Sequence, residues 1–172
     1  SRTNPDVHRY LPRPHETVWH SEAVQGTKEI ILCKSLIDAM TFWQSGFKNV
    51  LAAYGANGFT EAHCELLLQS NIKRVLIAYG GDDAGNKASS ALAEQLQSHG
   101  IACFRVQFPK KMDVNEYATT VQPAHKNLGL VISKAQYLGG GEAPRITSLN
   151  DQTVVLDDVD LWVNREIMAQ AE

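Results

Sequence analysis

Apolar residues in this chain come in short solid runs separated by amphipathic stretches. The runs are Glu29-Ile-Ile-Leu-Cys33, Asn49 to Ala53, Val75 to Tyr79 and Ile101 to Phe108. Runs of this length and solidity predict strands buried on both faces of a parallel sheet. Between them, apolar residues recur at helical spacing. Leu36, Met40, Trp43 and Phe47 form one stripe, read as core, and Cys64, Leu67 and Leu68 a second. Ala88, Ala91, Leu92 and Leu96 form a third, and Ala124, Leu128, Val131, Ala135 and Leu138 a fourth behind Pro123. Ser35 and Thr60 stand where N-caps belong, and Gly46 and Gly100 where helices stop. A short helical turn is expected at Asn115 to Ala118. Four alternations of strand and helix predict an α/β domain, a four-stranded parallel sheet with helices on both faces.

The pattern fades at both ends. Residues 1–28 carry Pro5, Pro12 and Pro14 and read as an extended arm, from which Trp19 docks on the core. Gly139-Gly-Gly141 reads as a flexible break opening a tail of residues 139–172. In that tail Thr153 to Leu156 suits a strand and Asp160 to Ala169 a short helix. The domain itself is placed at residues 29–138.

Composition narrows the function classes. A net charge of −3 argues against a broadly basic nucleic-acid surface but leaves a local one open. No apolar run is long enough to span a membrane, so no membrane partner and a cytoplasmic location are expected. The chain begins with Ser1, as a processed chain or a piece of a longer one would. Cys33, Cys64 and Cys103 are scattered and apolar in context, which predicts buried reduced thiols without a zinc site. The six histidines are scattered too, and are read as solvated.

Polar chemistry gathers after three of the strands. Lys34 follows the first, Gly80-Gly-Asp-Asp83 the third, and Asp113 ends the loop after the fourth. Ligands bind at the C-terminal ends of strands in an open parallel sheet. Adjacent carboxylates there need a cation or a helix N-terminus to offset their repulsion. As a turn with an N-cap, Gly-Gly-Asp-Asp carries no chemistry; convergence of three strand ends on one rim favours a site.

Two blocks, Ile31-Leu-Cys-Lys-Ser-Leu-Ile-Asp-Ala39 and Ile77-Ala-Tyr-Gly-Gly-Asp-Asp-Ala-Gly-Asn-Lys-Ala88, resemble the Toprim domain in order and spacing. Gly46 to Gly55 and Phe108-Pro-Lys-Lys-Met-Asp-Val-Asn-Glu116 are similar to its DNA-primase version. The resemblance covers residues 28–118, and is nearest to primase-like proteins that carry a separate zinc-finger module. It implies a three-layer, Rossmann-like fold in which the first strand lies beside the third. It also implies nucleotidyl or phosphodiester chemistry on DNA or an RNA–DNA hybrid, in replication or mobile-element DNA metabolism. Mg²⁺ is the implied cofactor, held by aspartates, with a glutamate as general acid or base.

Asp38, Asp82, Gly85 and Asp113 match that pattern. Two positions depart: Lys34 stands where the family has the catalytic glutamate, and Gly80 where it has the first aspartate ligand. The implied metal set is Asp38, Asp82 and Asp113 with Gly80 as a lost ligand. The implied catalytic positions are Lys34 and Asp82, and Lys87 is the implied phosphate contact. An ammonium cannot ligate Mg²⁺, and glycine offers no ligand. The departures therefore predict a weak or inactive catalyst. A non-catalytic module binding a protein, through its C-terminal tail for example, or a nucleic-acid backbone is the alternative. A receiver-like domain is weaker, because an acidic pair after the first strand is missing.

Overall fold

The computed structural model describes residues 17–141 and the backbone of residues 145–149 and 153–157. The expected helix at Asp160 to Ala169 lies outside the described residues. A short 3₁₀ turn, Ser21–Val24, precedes β1 (Glu29–Cys33), α1 (Leu36–Gln44), β2 (Val50–Ala52), α2 (Glu61–Gln69), β3 (Arg74–Ala78) and α3 (Asp83–Ser98). Then come β4 (Ala102–Arg105), α4 (Val114–Thr120), α5 (Ala124–Ser133), β5 (Gln136–Gly139), β6 (Arg145–Leu149) and β7 (Thr153–Asp157).

The sheet runs β2-β1-β3-β4-β5, and its first four strands are parallel. β5 is an antiparallel fifth strand on β4, so the sheet has one strand more than the sequence predicts. Its residues continue the α5 periodicity, but α5 stops at Ser133 and Ala135 and Leu138 lie beyond it. Gly139 closes β5, and a side chain at Gly140 would collide with the Ile101 carbonyl. At this point the glycine run is a close-packed turn rather than slack. β6 and β7 pair antiparallel as a separate two-stranded ribbon.

Alternation along the strands splits the core in two. Ile31, Cys33, Leu76, Ala78 and Phe104 face α1, α4 and α5, where Phe42, Ala118, Leu128 and Ile132 meet them. Ile30, Leu32, Val75, Ile77 and Cys103 face α2 and α3, where Leu67, Leu92 and Leu96 meet them. Trp19 packs on the first cluster, as expected. Three expectations about faces are corrected. Met40 and Trp43 are exposed, because α1 turns Asp38, Ala39 and Phe42 inward instead. Trp43 carries the Lys48 ammonium 3.4 Å above its ring. Leu68 and Ala91 also face solvent, while Gly85, Ser89 and Ala93 face inward. His63 is buried rather than solvated, and its Nε2 bonds the Ala52 carbonyl at 2.8 Å on the outer edge of β2.

Strand order reverses between β1 and β3. The chain leaving β1 forms α1 on one face, and the chain leaving β3 forms α3 on the other. This switch opens a crevice beyond the strand ends.

Candidate functional site

Three loops meet at that crevice, each ending in a helix N-terminus. Ser35 caps α1 by accepting from the Asp38 amide at 3.2 Å. Asp82 caps α3 by accepting from the Gly85 amide at 2.6 Å. Asp113 caps α4 by accepting from the Glu116 amide at 2.8 Å, while Glu116 accepts in return from the Asp113 amide at 3.1 Å. Each cap satisfies an amide that a helix start leaves without an intrahelical partner.

The β3–α3 and β4–α4 loops are stitched together. The Gly81 amide donates to the Met112 carbonyl at 2.9 Å. A Cβ at Gly81 would stand 2.6 Å from the Pro109 carbonyl, and one at Gly85 only 2.7 Å from Asp82 Oδ1. These two glycines are required by close approach. Gly80 is not: a Cβ there would stand 3.5 Å from the Met112 carbonyl and 3.6 Å from the Asp113 Cβ, in ordinary contact.

The cleft between the loops measures about 490 Å³ and brings together Lys34, Asp38, Gly80, Asp82 and Asp113. Lys111 and Glu116 also line it. Lys87 does not, and is exposed on α3. Cys33 pairs with Ala78 across β1 and β3, which sets Lys34 beside Tyr79. From there the Lys34 Nζ reaches to 3.9 Å from Asp82 Oδ2, with both side chains partly exposed.

Asp38 is buried and fully engaged. Its Oδ2 accepts from the Ser35 hydroxyl at 2.8 Å and its Oδ1 from the Asn115 amide at 3.1 Å, tying α1 to α4. Burial raises its carboxyl above the usual range, aided by the Asp113 charge and opposed by those hydrogen bonds and by Lys34.

Arg105, which no sequence motif singles out, is the internal brace of this rim. Its guanidinium donates to the carbonyls of Ile77, Tyr79, Val106 and Gly80 and to Asn86 Oδ1, at 2.6–3.2 Å. Burial lowers its pKa from the ordinary value, and the Asp82 charge opposes that change. An arginine inside an otherwise apolar strand was the available signal, since a buried charge needs partners.

The donor set is short of ligands for Mg²⁺. Asp82 and Asp113 each spend an oxygen on a cap, position 80 supplies nothing, and the nearest cation to Asp82 Oδ2 is an ammonium. Among the described residues no group of three or more His, Cys, Asp or Glu is placed to hold a metal ion. No helix among them is long and apolar enough to cross a membrane.

A family model described as Toprim-like matches residues 31–118. The DNA primase of Campylobacter jejuni is 35% identical over 80 residues, covering 46% of this chain and 13% of that protein. The Aquifex aeolicus primase, solved as its zinc-binding and RNA polymerase domains, superposes with a TM-score of 0.59 at 28% identity. It covers 69% of this chain and 28% of that one. A DnaG primase catalytic domain bound to ssDNA superposes at 0.55 and 18% identity, covering 67% of this chain and 37% of that one, and supports the fold alone. The chain spans only 13–19% of the length of the curated relatives it matches.

Proposed function

The chain belongs to the Toprim-like family, related to DnaG primase, and from that membership we propose that it is the Toprim domain of a primase-like replication protein whose own phosphodiester chemistry is lost or impaired. The carrying observation is the cleft at the sheet's switch point. A lysine ammonium stands 3.9 Å from Asp82, and no side chain stands at position 80. Phosphoryl transfer by such a site needs a hard cation to neutralise charge on the transferring group. It also needs a titratable acid or base within reach. Asp82 and Asp113 remain, but the position of the acid carries a cation.

The nucleic-acid partner is part of the same proposal. The relatives that match in sequence are DNA primases, and Lys34 and Lys111 place two ammonium groups in the cleft. The arm and tail extend a unit placed at residues 29–138, with the tail as a candidate protein contact. The test is ribonucleotide incorporation on a single-stranded DNA template by the full-length protein that carries this chain, with Mg²⁺ or Mn²⁺. No incorporation is expected above that of a template-free control. Template-dependent synthesis that disappears when Asp82 and Asp113 are changed to Asn would overturn the impaired-site reading. Retention of ssDNA by the non-priming protein would support the nucleic-acid partner, and loss of it would count against that partner.

A further inference from the structure

We propose that the Lys34 ammonium is the resident cation of this cleft. It holds by a covalent tether the place a divalent ion would fill, and Gly80 is its matching change. Residues 34 and 80 together then decide whether the cleft takes a metal. The inference deepens the impaired-site reading and rests on it, but its test needs no priming activity.

Four observations carry it. First, Lys34 leaves β1 in register with the end of β3, so its ammonium is delivered between the β1–α1 and β3–α3 loops. It sits 3.9 Å from Asp82 Oδ2 and acts electrostatically on Asp38 as well. Second, the carboxylates it serves are held by other bonds. Asp38 is fixed by Ser35 and Asn115, Asp82 by the Gly85 amide and Asp113 by the Glu116 amide. The acidic frame therefore stands without a metal to organise it.

Third, the glycine at 80 is not demanded by the fold. Gly81 and Gly85 could not carry a side chain without displacing neighbours, whereas a Cβ at 80 meets only ordinary contacts. Gly80 is also not among the glycines with positive φ. The reason left for the missing side chain is electrostatic: an aspartate at 80 would stand against Asp113 and add to the acidic cluster of the cleft. Fourth, the charges pair. A glutamate at 34 with an aspartate at 80 would put two more negative charges in the cleft and remove its tethered cation. A divalent ion would then be needed to offset the crowded carboxylates.

The test uses the 172-residue chain. Thermal unfolding is followed in chelator and in millimolar MgCl₂ or MnCl₂ for the parent, for Lys34→Glu/Gly80→Asp and for Lys34→Gln. The same proteins are titrated with MnCl₂ by calorimetry. The parent should show no metal-dependent shift. The double variant should unfold lower in chelator by at least 2–4 °C, roughly the effect of one kcal/mol in a chain this long. Mn²⁺ should recover that loss, because an ion that binds only the folded state stabilises it. Calorimetry should show one saturable site.

A saturable Mg²⁺-dependent rise in the parent would overturn the proposal. So would a folded double variant that takes no divalent ion. If the double variant does not fold, Lys34→Gln decides: it removes the cation without adding charge and should acquire a smaller Mn²⁺-dependent shift, and its absence overturns the proposal. Priming by the full-length parent is a separate result. It would overturn the impaired-site reading while these titrations still reported whether Lys34 holds the cation's place.

Discussion

At the C-terminal ends of β1, β3 and β4, four carboxylates share one open cleft. At the opposite end of the same sheet a single carboxylate, Glu29, is buried beside Arg74. In the cleft Asp38, Asp82 and Asp113 each accept from a backbone amide or hydroxyl, and Glu116 accepts from the Asp113 amide. Glu29 has no hydrogen bond to either side-chain oxygen, and Arg74 Nε, 4.0 Å away, has none either. Topology explains the contrast. Helix N-termini gather where strands end, and they offer unpaired N–H groups with a favourable dipole. Where strands begin, the preceding helices have just ended and offer carbonyls instead. A carboxylate is cheap to hold at the first rim and expensive at the second.

Glu29 carries the cost of the second rim. Burial raises its pKa from 4.5 to about 7, against the pull of Arg74. The folded state therefore holds a proton that the unfolded chain has already released. The Glu29 contribution to stability is complete below pH 4.5 and is lost as pH rises towards 7. The advantage of Glu29→Gln over the parent should grow by roughly 2–3 kcal/mol between about pH 5 and pH 8, because each pH unit separating the folded and unfolded pKa values is worth about 1.36 kcal/mol. Chemical denaturation at the two pH values measures it, and an unchanged difference would show that Glu29 ionises normally in the fold. His63 works in the other direction. Burial lowers its pKa, so its contribution is present above the unfolded value of 6.5 and lost as pH falls. Acid also places a proton on Nδ1, where His63 accepts from the Thr60 amide at 3.2 Å. His63→Asn should flatten the acid limb and leave the Glu29 limb intact.

Next in size are the close contacts and caps of the cleft. Gly85→Ala forces a methyl against Asp82 Oδ1 and the Gly80 carbonyl, and should cost about 1–3 kcal/mol despite alanine's better helix propensity. Asp113→Ala removes a reciprocal capping box and should cost about 1 kcal/mol. Gly80→Ala should be neutral or stabilising by about 0.4–1 kcal/mol, because the site accepts a Cβ and the unfolded chain loses freedom. A loss at position 80 as large as that at 85 would mean that the fold, not charge, keeps the glycine.

The same contrast marks how far the sequence could be read. The four parallel strands and three N-caps were legible because each rests on local signals: a solid apolar run, or a Ser, Thr or Asp at its end. That Lys34, Asp82 and Asp113 share one rim was legible from the alternation of those runs with helices, whereas the strand order that sets Lys34 beside Asp82 came from the family resemblance. β5 was hidden because Gln136-Tyr-Leu-Gly139 extends the helical spacing before it, and an exposed edge strand has no solid apolar run. The inner face of α1 was misread because Met40 and Trp43 are as periodic as Ala39 and Phe42. The inward face packs Ala39 and Phe42 on the first core cluster and ties Asp38 to Asn115, 77 residues away, contacts that helical spacing alone does not show. Arg105, His63 and Glu29 share a cause. Each is a polar residue buried by elements distant in sequence: Arg105 bonds to the end of β3, His63 to the edge of β2, and Glu29 lies against Arg74 without a hydrogen bond.

The smallest expected effect is the Lys34–Asp82 pair, and it separates the two rims by their response to salt. The pair is 3.9 Å apart, with side-chain exposures of 24% and 49%. Solvent screens a contact of that kind, so a double-mutant cycle with Lys34→Met and Asp82→Asn should return a coupling of about 0.2–1 kcal/mol at low ionic strength. Asp82→Asn keeps an oxygen that can accept from the Gly85 amide, so the cycle isolates charge rather than capping. Near 1 M salt the Debye length is about 3 Å, shorter than the pair's separation, and the coupling should fall close to zero. The pH slope assigned to Glu29 should hardly change, because desolvation, not a screened charge, sets it. If the Lys34–Asp82 coupling persisted in high salt, the cleft would be drier than its exposure indicates. Its ammonium and carboxylate would then be as poorly solvated as Glu29 at the other rim.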